Sequence, residues 1–190
     1  RLTAFFDSSV KLGVTHWLVG IPILPIEEQS LSKLDFYHIA IGDNLVRAKF
    51  LSKLIDRQML ANIISPQAVL PYYLDMGAGC YIAPGVIIGT GVKLGDCVIC
   101  NSGSIIEHGC ELGECVHIAP GAKLAGHVTV GARTMVGIGA TVMQNIKIGS
   151  DAVVGAGAVV LHDVPDGHTV VGCPAKAVGG RIVSWHEQEK

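Results

Sequence analysis

Two histidines interrupt an otherwise small and aliphatic stretch, SIIEHGCELGECVHIAPG, which spans residues 104–121. His108 and His117 stand nine residues apart in this stretch. An imidazole changes charge near neutral pH, so it can take a proton from an attacking nucleophile or bind a ligand. The alternatives are an exposed histidine in a turn, or a buried one whose hydrogen bonds are satisfied. The elements that carry the two rings decide between these possibilities.

From Ala68 to Asp163 the chain divides into sixteen hexads without a break in frame. The third residue of each hexad is a bulky apolar side chain, except at Cys100, and the fourth is glycine in eight hexads. Neither a helix nor a series of hairpins has a period of six. A period of six fits a short extended segment followed by a corner, repeated so that one large side chain of each segment points inward. The pattern predicts a mainly β protein, a parallel β-helix of about five coils over residues 66–163, followed by a C-terminal loop or cap segment over residues 164–190.

This repeat also places the two histidines. His108 takes the fifth position of its hexad and His117 the second, so neither replaces the inward residue and both should project outward. Three hexads make one coil, and the histidines are half a coil apart, on opposite sides of one turn. They can therefore serve one reaction only if two chains stand side by side, as in a closed homotrimer with three equivalent clefts.

Residues 1–65 lack the six-residue period and predict a small α/β subdomain. LTAFF is typical of a strand and FYHIAIGDN of a strand followed by a turn. Residues 45–60 have apolar side chains at helical spacing, and ANIIS predicts a further strand. Asp43 or Asn44 is the expected N-cap of the helix. Because Arg1 lies within an apparent strand, we expect part of this subdomain to precede it.

Composition excludes several classes of partner. Charged residues make up 16% of the chain and the formal net charge is -2, which does not favour a nucleic-acid or anionic-lipid surface. No apolar run approaches the roughly 18 residues that a membrane span requires. There is no leader of the secretory type, so the six cysteines predict reduced thiols in a cytoplasmic protein.

Five segments together resemble a known family. They are AIGDN (40–44), IIEHGCELGECVHIAPGAKLAG (105–126), VGIGATV (136–142), VGAGAVV (154–160) and VPDGHTVVGCPAK (164–176). The chain resembles the hexapeptide-repeat acyltransferases with a left-handed parallel β-helix. More narrowly, it resembles bacterial sugar acetyltransferases that carry an N-terminal Rossmann-like nucleotide-sugar domain. That group includes UDP-4-amino-sugar N-acetyltransferases and sialic acid O-acetyltransferases.

The resemblance implies an acetyltransferase that uses acetyl-CoA as co-substrate and a UDP-linked amino-dideoxy sugar as acceptor, for surface-glycan or glycoprotein synthesis. In this family a histidine at the place of His108 is the general base. Relatives commonly place an acidic residue directly after that base, but here Gly109 follows it and Glu107 precedes it. We include Glu107 in the catalytic set, although neighbouring residues of a strand point opposite ways. Either the corner bends Glu107 towards the ring, or another carboxylate orients it, or the base is weaker.

The same resemblance assigns ligand-binding residues. Ile138 and Ala156 are eighteen residues apart, so they should stack on one side of consecutive coils, as ordinary repeat packing would also place them. The acetyl-CoA set is His117, Gly137, Ile138, Gly155 and Ala156. The sugar-nucleotide set is Asp7, Ser8, Gly42 and Asn101. A glycine-rich loop with its own histidine, which the family uses for the sugar nucleotide, should precede Arg1.

Other functions fit the sequence less well. Sialic acid or other sugar O-acetylation and a non-enzymatic β-helix scaffold stay open as alternatives. Among the eight histidines there is no pair five residues apart, as in trimeric zinc carbonic anhydrases. Small buried thiols explain Cys97, Cys100, Cys110 and Cys115 better than a metal site does, so we expect no metal. Transfer through Cys110 or Cys115 is conceivable, but neither has a recognisable nucleophile setting.

Overall fold

The structure is a computed structural model, and it describes residues 5–7, 16–18, 21–25, 36–54 and 57–178. The chain forms two compact units, residues 1–37 and residues 38–190. The first unit contains a three-stranded sheet of β1 (Phe5–Asp7), β2 (His16–Leu18) and β3 (Ile21–Pro25). Strand β3 lies in the middle, parallel to β1 and antiparallel to β2. Phe5 and Phe6 of the predicted LTAFF strand lie in β1, and the first three residues of that strand lie outside the described residues.

The second unit is a parallel β-helix, as the hexads predict, and it has about six turns. Its first face contains β4 (Ile63–Ile64), β6 (Tyr81–Ile82), β9 (Ile99–Cys100), β12 (His117–Ile118), β15 (Met135–Val136), β18 (Val153–Val154), β20 (Thr169–Val171) and β21 (Lys176–Val178). The second face contains β7 (Ile87–Ile88), β10 (Ile105–Ile106), β13 (Lys123–Leu124), β16 (Thr141–Val142) and β19 (Val159–Val160). The third face contains β5 (Asp75–Met76), β8 (Lys93–Leu94), β11 (Glu111–Leu112), β14 (Thr129–Val130) and β17 (Lys147–Ile148).

Three edges of turns join these faces, and each is named here after one of its residues. The Asn101 edge, between the first and second faces, contains 83–85, 101–103, 119–121, 137–139 and 155–157. The His108 edge, between the second and third faces, contains 89–91, 107–109, 125–127, 143–145 and 161–163. The Cys115 edge, between the third and first faces, contains 77–79, 95–97, 113–115, 131–133 and 149–151.

From β6 to β19 each two-residue strand buries its second side chain, which is the third residue of the hexad. From Ile82 to Val160 every one of these residues is in the hydrophobic core. Partners in adjacent coils are eighteen residues apart, as in Ile105 against Ile87 and Lys123. Equal spacing stacks the same hexad position on itself, so the core continues along the whole helix axis.

The coil extends beyond both ends of the sixteen hexads. Ile63–Ile64, within the ANIIS segment assigned to the α/β subdomain, pairs in parallel with Tyr81–Ile82. At the other end Val164 bridges Ile148, and Thr169–Val171 pairs in parallel with β18. With these strands the β-helix is longer than the predicted count of about five coils. The strands provide hydrogen-bond partners for backbone groups of the first and last complete turns.

One α-helix is described, α1 (Asn44–Ser52). The side chain of its N-cap, Asp43, accepts a hydrogen bond from the Val46 N–H, as predicted for this position. The helix is shorter than the predicted 45–60, and a 3-10 turn follows at Arg57–Met59. The predicted strand over 36–44 is reduced to an isolated bridge residue, Tyr37.

Within the described residues, no helix is long and apolar enough to span a bilayer.

Candidate active site

His108 lies in a turn on the His108 edge, between strands β10 and β11, and its side chain is exposed. The prediction that it does not point into the prism is confirmed. In the described part of the chain no side chain hydrogen-bonds to its ring, but the ring is in edge-to-face contact with His127, with centroids 4.9 Å apart. An exposed imidazole without a bonded partner can accept a proton from a ligand.

Glu107 is also exposed on this edge. No hydrogen bond or ion pair joins it to His108 among the described residues, so its catalytic role stays a prediction.

His117 lies on the opposite side of the coil, as the first residue of β12 on the first face, and it is partly buried. Its Nε2 is 3.2 Å from Nδ2 of Asn101. The Asn101 amide orientation follows from its other end, because Oδ1 accepts a hydrogen bond from the Ser102 N–H at 2.9 Å. Nδ2 therefore donates to His117, Nε2 accepts, and the ring proton resides on Nδ1.

The environment of His117 favours its neutral form. Burial, and then the positive charge of Arg47, lower its pKa to about 4, although a hydrogen bond with the backbone of Gly42 acts in the opposite direction. A proton on Nδ1 suits a bond to the Gly42 carbonyl. His117 is therefore a neutral ring held between Gly42 and Asn101.

Arg47, on helix α1, explains the charge near His117. Its side chain is fully buried and donates to the carbonyls of Ile41, Gly42, Cys97 and Cys115 and to Oδ1 of Asn44. Burial lowers the pKa of this guanidinium, but an arginine stays protonated in proteins. Sequence reasoning missed Arg47, because its partners are backbone groups that leave no signature in the sequence.

The predicted acetyl-CoA residues other than His117 all lie on the Asn101 edge. Ile138 and Ala156 occupy equivalent positions of consecutive turns and are exposed, Ile138 by 56%. The neighbouring glycines permit close stacking, since a Cβ on Gly137 would lie 2.8 Å from the Ala156 N. Within the described residues the backbone N–H groups of Ile138 and Ala156 have no hydrogen-bond partner. The edge thus presents unpaired donors along one line.

Two of the predicted sugar-nucleotide residues, Gly42 and Asn101, lie close to His117. Asn101 contacts His117, and Gly42, directly before the N-cap of α1, contacts His117 and Arg47. Asp7 is the last residue of β1 in the other compact unit, and Ser8 lies outside the described residues. The sequence placed Gly42 in the sugar-nucleotide set and His117 in the acetyl-CoA set, and the structure associates the two residues.

Four cysteines of the coils are enclosed in the prism. Cys97, Cys100, Cys110 and Cys115 have no exposed surface, and burial raises the pKa of Cys110. The pKa of Cys115 is lowered by its hydrogen bond with Cys97 and by Arg47, yet this thiol is equally enclosed. No group of three or more potential metal ligands occurs within the described residues.

Comparison with known proteins agrees with this architecture. The family model for bacterial transferase hexapeptides (six repeats) matches residues 127–162. No curated protein sequence matches at a significant level.

Three solved structures of similar proteins cover most of the chain. Perosamine N-acetyltransferase from Caulobacter crescentus, a histidine-to-asparagine variant in complex with CoA and GDP-perosamine, is 36% identical, with a TM-score of 0.81 over 87% of this chain and 81% of its own. The acetyltransferase domain of PglB from Neisseria gonorrhoeae FA1090, in complex with acetyl coenzyme A, is 31% identical, with a TM-score of 0.82 over 92% and 85%. WeeI from Acinetobacter baumannii AYE is 31% identical, with a TM-score of 0.81 over 92% and 85%.

The repeat, the prism and these similarities agree with one another. The chain belongs to the hexapeptide-repeat family of CoA-dependent sugar N-acetyltransferases.

Proposed function

We propose that this enzyme transfers the acetyl group of acetyl-CoA to the 4-amino group of a UDP-linked amino-dideoxy sugar, with His108 as general base. The observation that carries the proposal is the exposed His108 imidazole, at the edge of a prism similar to those of sugar N-acetyltransferases. The perosamine enzyme was crystallised with CoA and a nucleotide sugar, which supports the same pair of substrates here.

The reaction we propose is direct. The acceptor nitrogen attacks the thioester carbonyl carbon while His108 takes one N–H proton. The tetrahedral intermediate collapses, the C–S bond breaks, and the imidazolium returns the proton to the departing CoA sulfur. The products are the amide and free CoA thiol. A route through an acyl-cysteine is disfavoured because Cys110 and Cys115 are fully enclosed in the prism.

The donor side of the site is assigned to the Asn101 edge. Unpaired N–H groups of Ile138 and Ala156 are suited to carbonyl groups of acetyl-CoA. Asn101, which donates to the neutral His117, lies on the same edge. One N–H of the Asn101 amide is left for a ligand after the bond to His117. Such fixed donors stabilise an oxyanion without reorganising during the reaction.

A complete site requires two chains. Within one chain the prism separates the His108 edge from the first face, which carries His117. The second face, between the His108 and Asn101 edges, has an apolar outer stripe of Val69, Ile87 and Ile105. The third face instead has outward charges, including an ion pair of Lys93 with Glu111 at 2.8 Å. We propose that the second face packs against a neighbour in a homotrimer.

Complementation tests the shared site. His108→Ala and His117→Ala chains are inactive alone in this scheme, but mixed trimers contain some clefts with both histidines. Mixing by refolding should restore part of the activity measured by thiol release from acetyl-CoA. If trimers confirmed to contain both variants show no activity, the active site is not shared between chains.

The acceptor is tested with a panel of UDP-linked 4-amino sugars, GDP-perosamine, sialic acid and simple sugars. The resemblance in sequence favours UDP, whereas the Caulobacter relative was solved with a GDP-sugar. We expect CoA release with the nucleotide-linked amino sugars, and its loss in His108→Ala. Preferred acetylation of sialic acid would replace this proposal with the O-acetyltransferase alternative. We also propose that the enzyme is cytoplasmic.

A further inference from the structure

The acidic residue expected after the base is absent, and the space it would need is filled by a second imidazole. A Cβ on Gly109 would lie 2.6 Å from Cε1 of His127. The converse holds one coil on, where a Cβ on Gly126 would lie 2.7 Å from Cε1 of His108. Each ring therefore lies over a glycine of the other ring's turn, and the two planes meet at 82°.

His127 reaches this place through an unusual backbone conformation. Its φ is 58°, in the left-handed region, where the equivalent residue of the preceding turn is Gly109, with φ 67°. Asparagine, aspartate and histidine are the non-glycine residues found there most readily. The position leaves the imidazole exposed beside His108 rather than covered by the chain.

We propose that His127 is the positioning residue of His108, holding the ring of the base through edge-to-face contact in a slot opened by Gly109 and Gly126. This inference rests on the proposed role of His108. Three stacked turns of this edge bring two titratable groups to His108, namely Glu107 in the same turn and His127. The preceding turn contributes only Gly89, Thr90 and Gly91. A ring held on one side presents its nitrogens to the cleft in a fixed direction.

The first test is His127→Asn, which removes the ring and suits the backbone, since Asn145 has φ 62° at the equivalent position of the next turn. We expect kcat to fall about tenfold while KM for either substrate changes less than about twofold, because orientation rather than binding is lost. The pH profile of kcat should shift as well. His162→Ala, an exposed histidine on the same edge, is the matched control and should keep the wild-type profile.

Two further variants test the slot itself. Gly126→Ala should lower kcat with His127 still present, because the new methyl group occupies the place of the His108 ring. Gly109→Asp alone should also lower kcat, because its side chain collides with His127. In the His127→Asn background the carboxylate has room, so the double variant should be faster than His127→Asn. A fall no greater in His127→Asn than in His162→Ala, or no gain in the double variant, would overturn the inference.

His108→Asn separates this inference from the proposed function. Loss of activity in His108→Asn with a normal His127→Asn enzyme rejects the positioning role and leaves the base in place. Full activity in His108→Asn rejects the base, and the positioning role with it. NMR titration of the His108 ring, compared between wild type and His127→Asn, must show a changed resonance if the two rings are in contact.

Discussion

At the residue scale, the two histidines differ in what surrounds them. Within the described residues the exposed His108 ring has no hydrogen-bond partner and packs edge-to-face on His127, whereas His117 accepts a hydrogen bond from Asn101 and is close to a buried guanidinium. One imidazole is free to exchange a proton and the other is held neutral. The geometry therefore supports a division of labour between base and ligand contact.

The neutral state of His117 gives a prediction for stability against pH. Its pKa falls from 6.5 to about 4 on folding, so the unfolded chain binds a proton more readily. The contribution is complete above pH 6.5 and is lost as pH falls towards 4. At about 1.4 kcal/mol per pKa unit it is about 3 kcal/mol in all, of which about 2.5 kcal/mol is lost between pH 7.5 and 4.5. Urea unfolding of wild type and His117→Gln at pH 7.5 and 4.5 should show a wild-type advantage that shrinks by this amount. A wild-type advantage in stability that does not change with pH would show that folding does not lower the pKa of His117.

At the element scale, α1 is tied to the prism by two side chains, those of Arg47 and Asn44. Arg47 connects the helix to the carbonyls of Cys97 and Cys115, which are corner residues of two successive turns with φ of 54° and 56°. Asn44 adds bonds to the carbonyls of Arg133 and Thr134. The position of Gly42, and so of its bond to His117, depends on this attachment.

Arg47→Met should accordingly destabilise the fold strongly. It leaves several buried carbonyls without donors, which we expect to reduce the free energy of unfolding by about 3 kcal/mol or more. Lys49→Ala, on the exposed side of the same helix, should change it by less than about 0.5 kcal/mol. Chemical denaturation of both variants provides the measurement. Equal stability of the two would mean that water replaces the guanidinium without loss.

At the scale of the whole molecule, the outer faces of the prism differ in chemistry. The second face is apolar at Val69, Ile87 and Ile105, and Val69 and Ile87 are 61% and 42% exposed. Opposite charges line the third face. Removing an apolar stripe from water favours association between chains. A charged face whose ion pairs lie within one chain gains little from such association.

We therefore expect Ile87→Asp to dissociate the proposed trimer and abolish transfer, because it buries an unpaired charge between chains. Thr129→Asp, an exposed outward residue of the third face, should leave both assembly and activity unchanged. Light scattering coupled to size-exclusion chromatography measures the mass, and thiol release measures transfer. An active Ile87→Asp monomer would refute the shared cleft.

The sequence alone predicted the repeat, its inward residues and the outward direction of both histidines. A strict six-residue period leaves one way to bury a continuous core, so spacing suffices for these features. It also limited the N-cap to Asp43 or Asn44, of which the structure has Asp43, because a cap depends on residues close in sequence. The extent of the predicted helix and the ends of the coil were less accurate, since both depend on which distant backbone groups need partners.

Tertiary structure decided the contacts between coils and with the helix. Residues 47 and 115 have no spacing that marks them as neighbours, and the repeat places residues 108 and 127 on one edge without showing that their rings meet. The pairing of His108 with His127 follows from stacking turns eighteen residues apart, and the attachment of Arg47 follows from a helix docking on carbonyls. Period specifies which residues face inward or outward, but only the packed prism specifies which outward side chains meet, because that depends on atoms brought together from different coils.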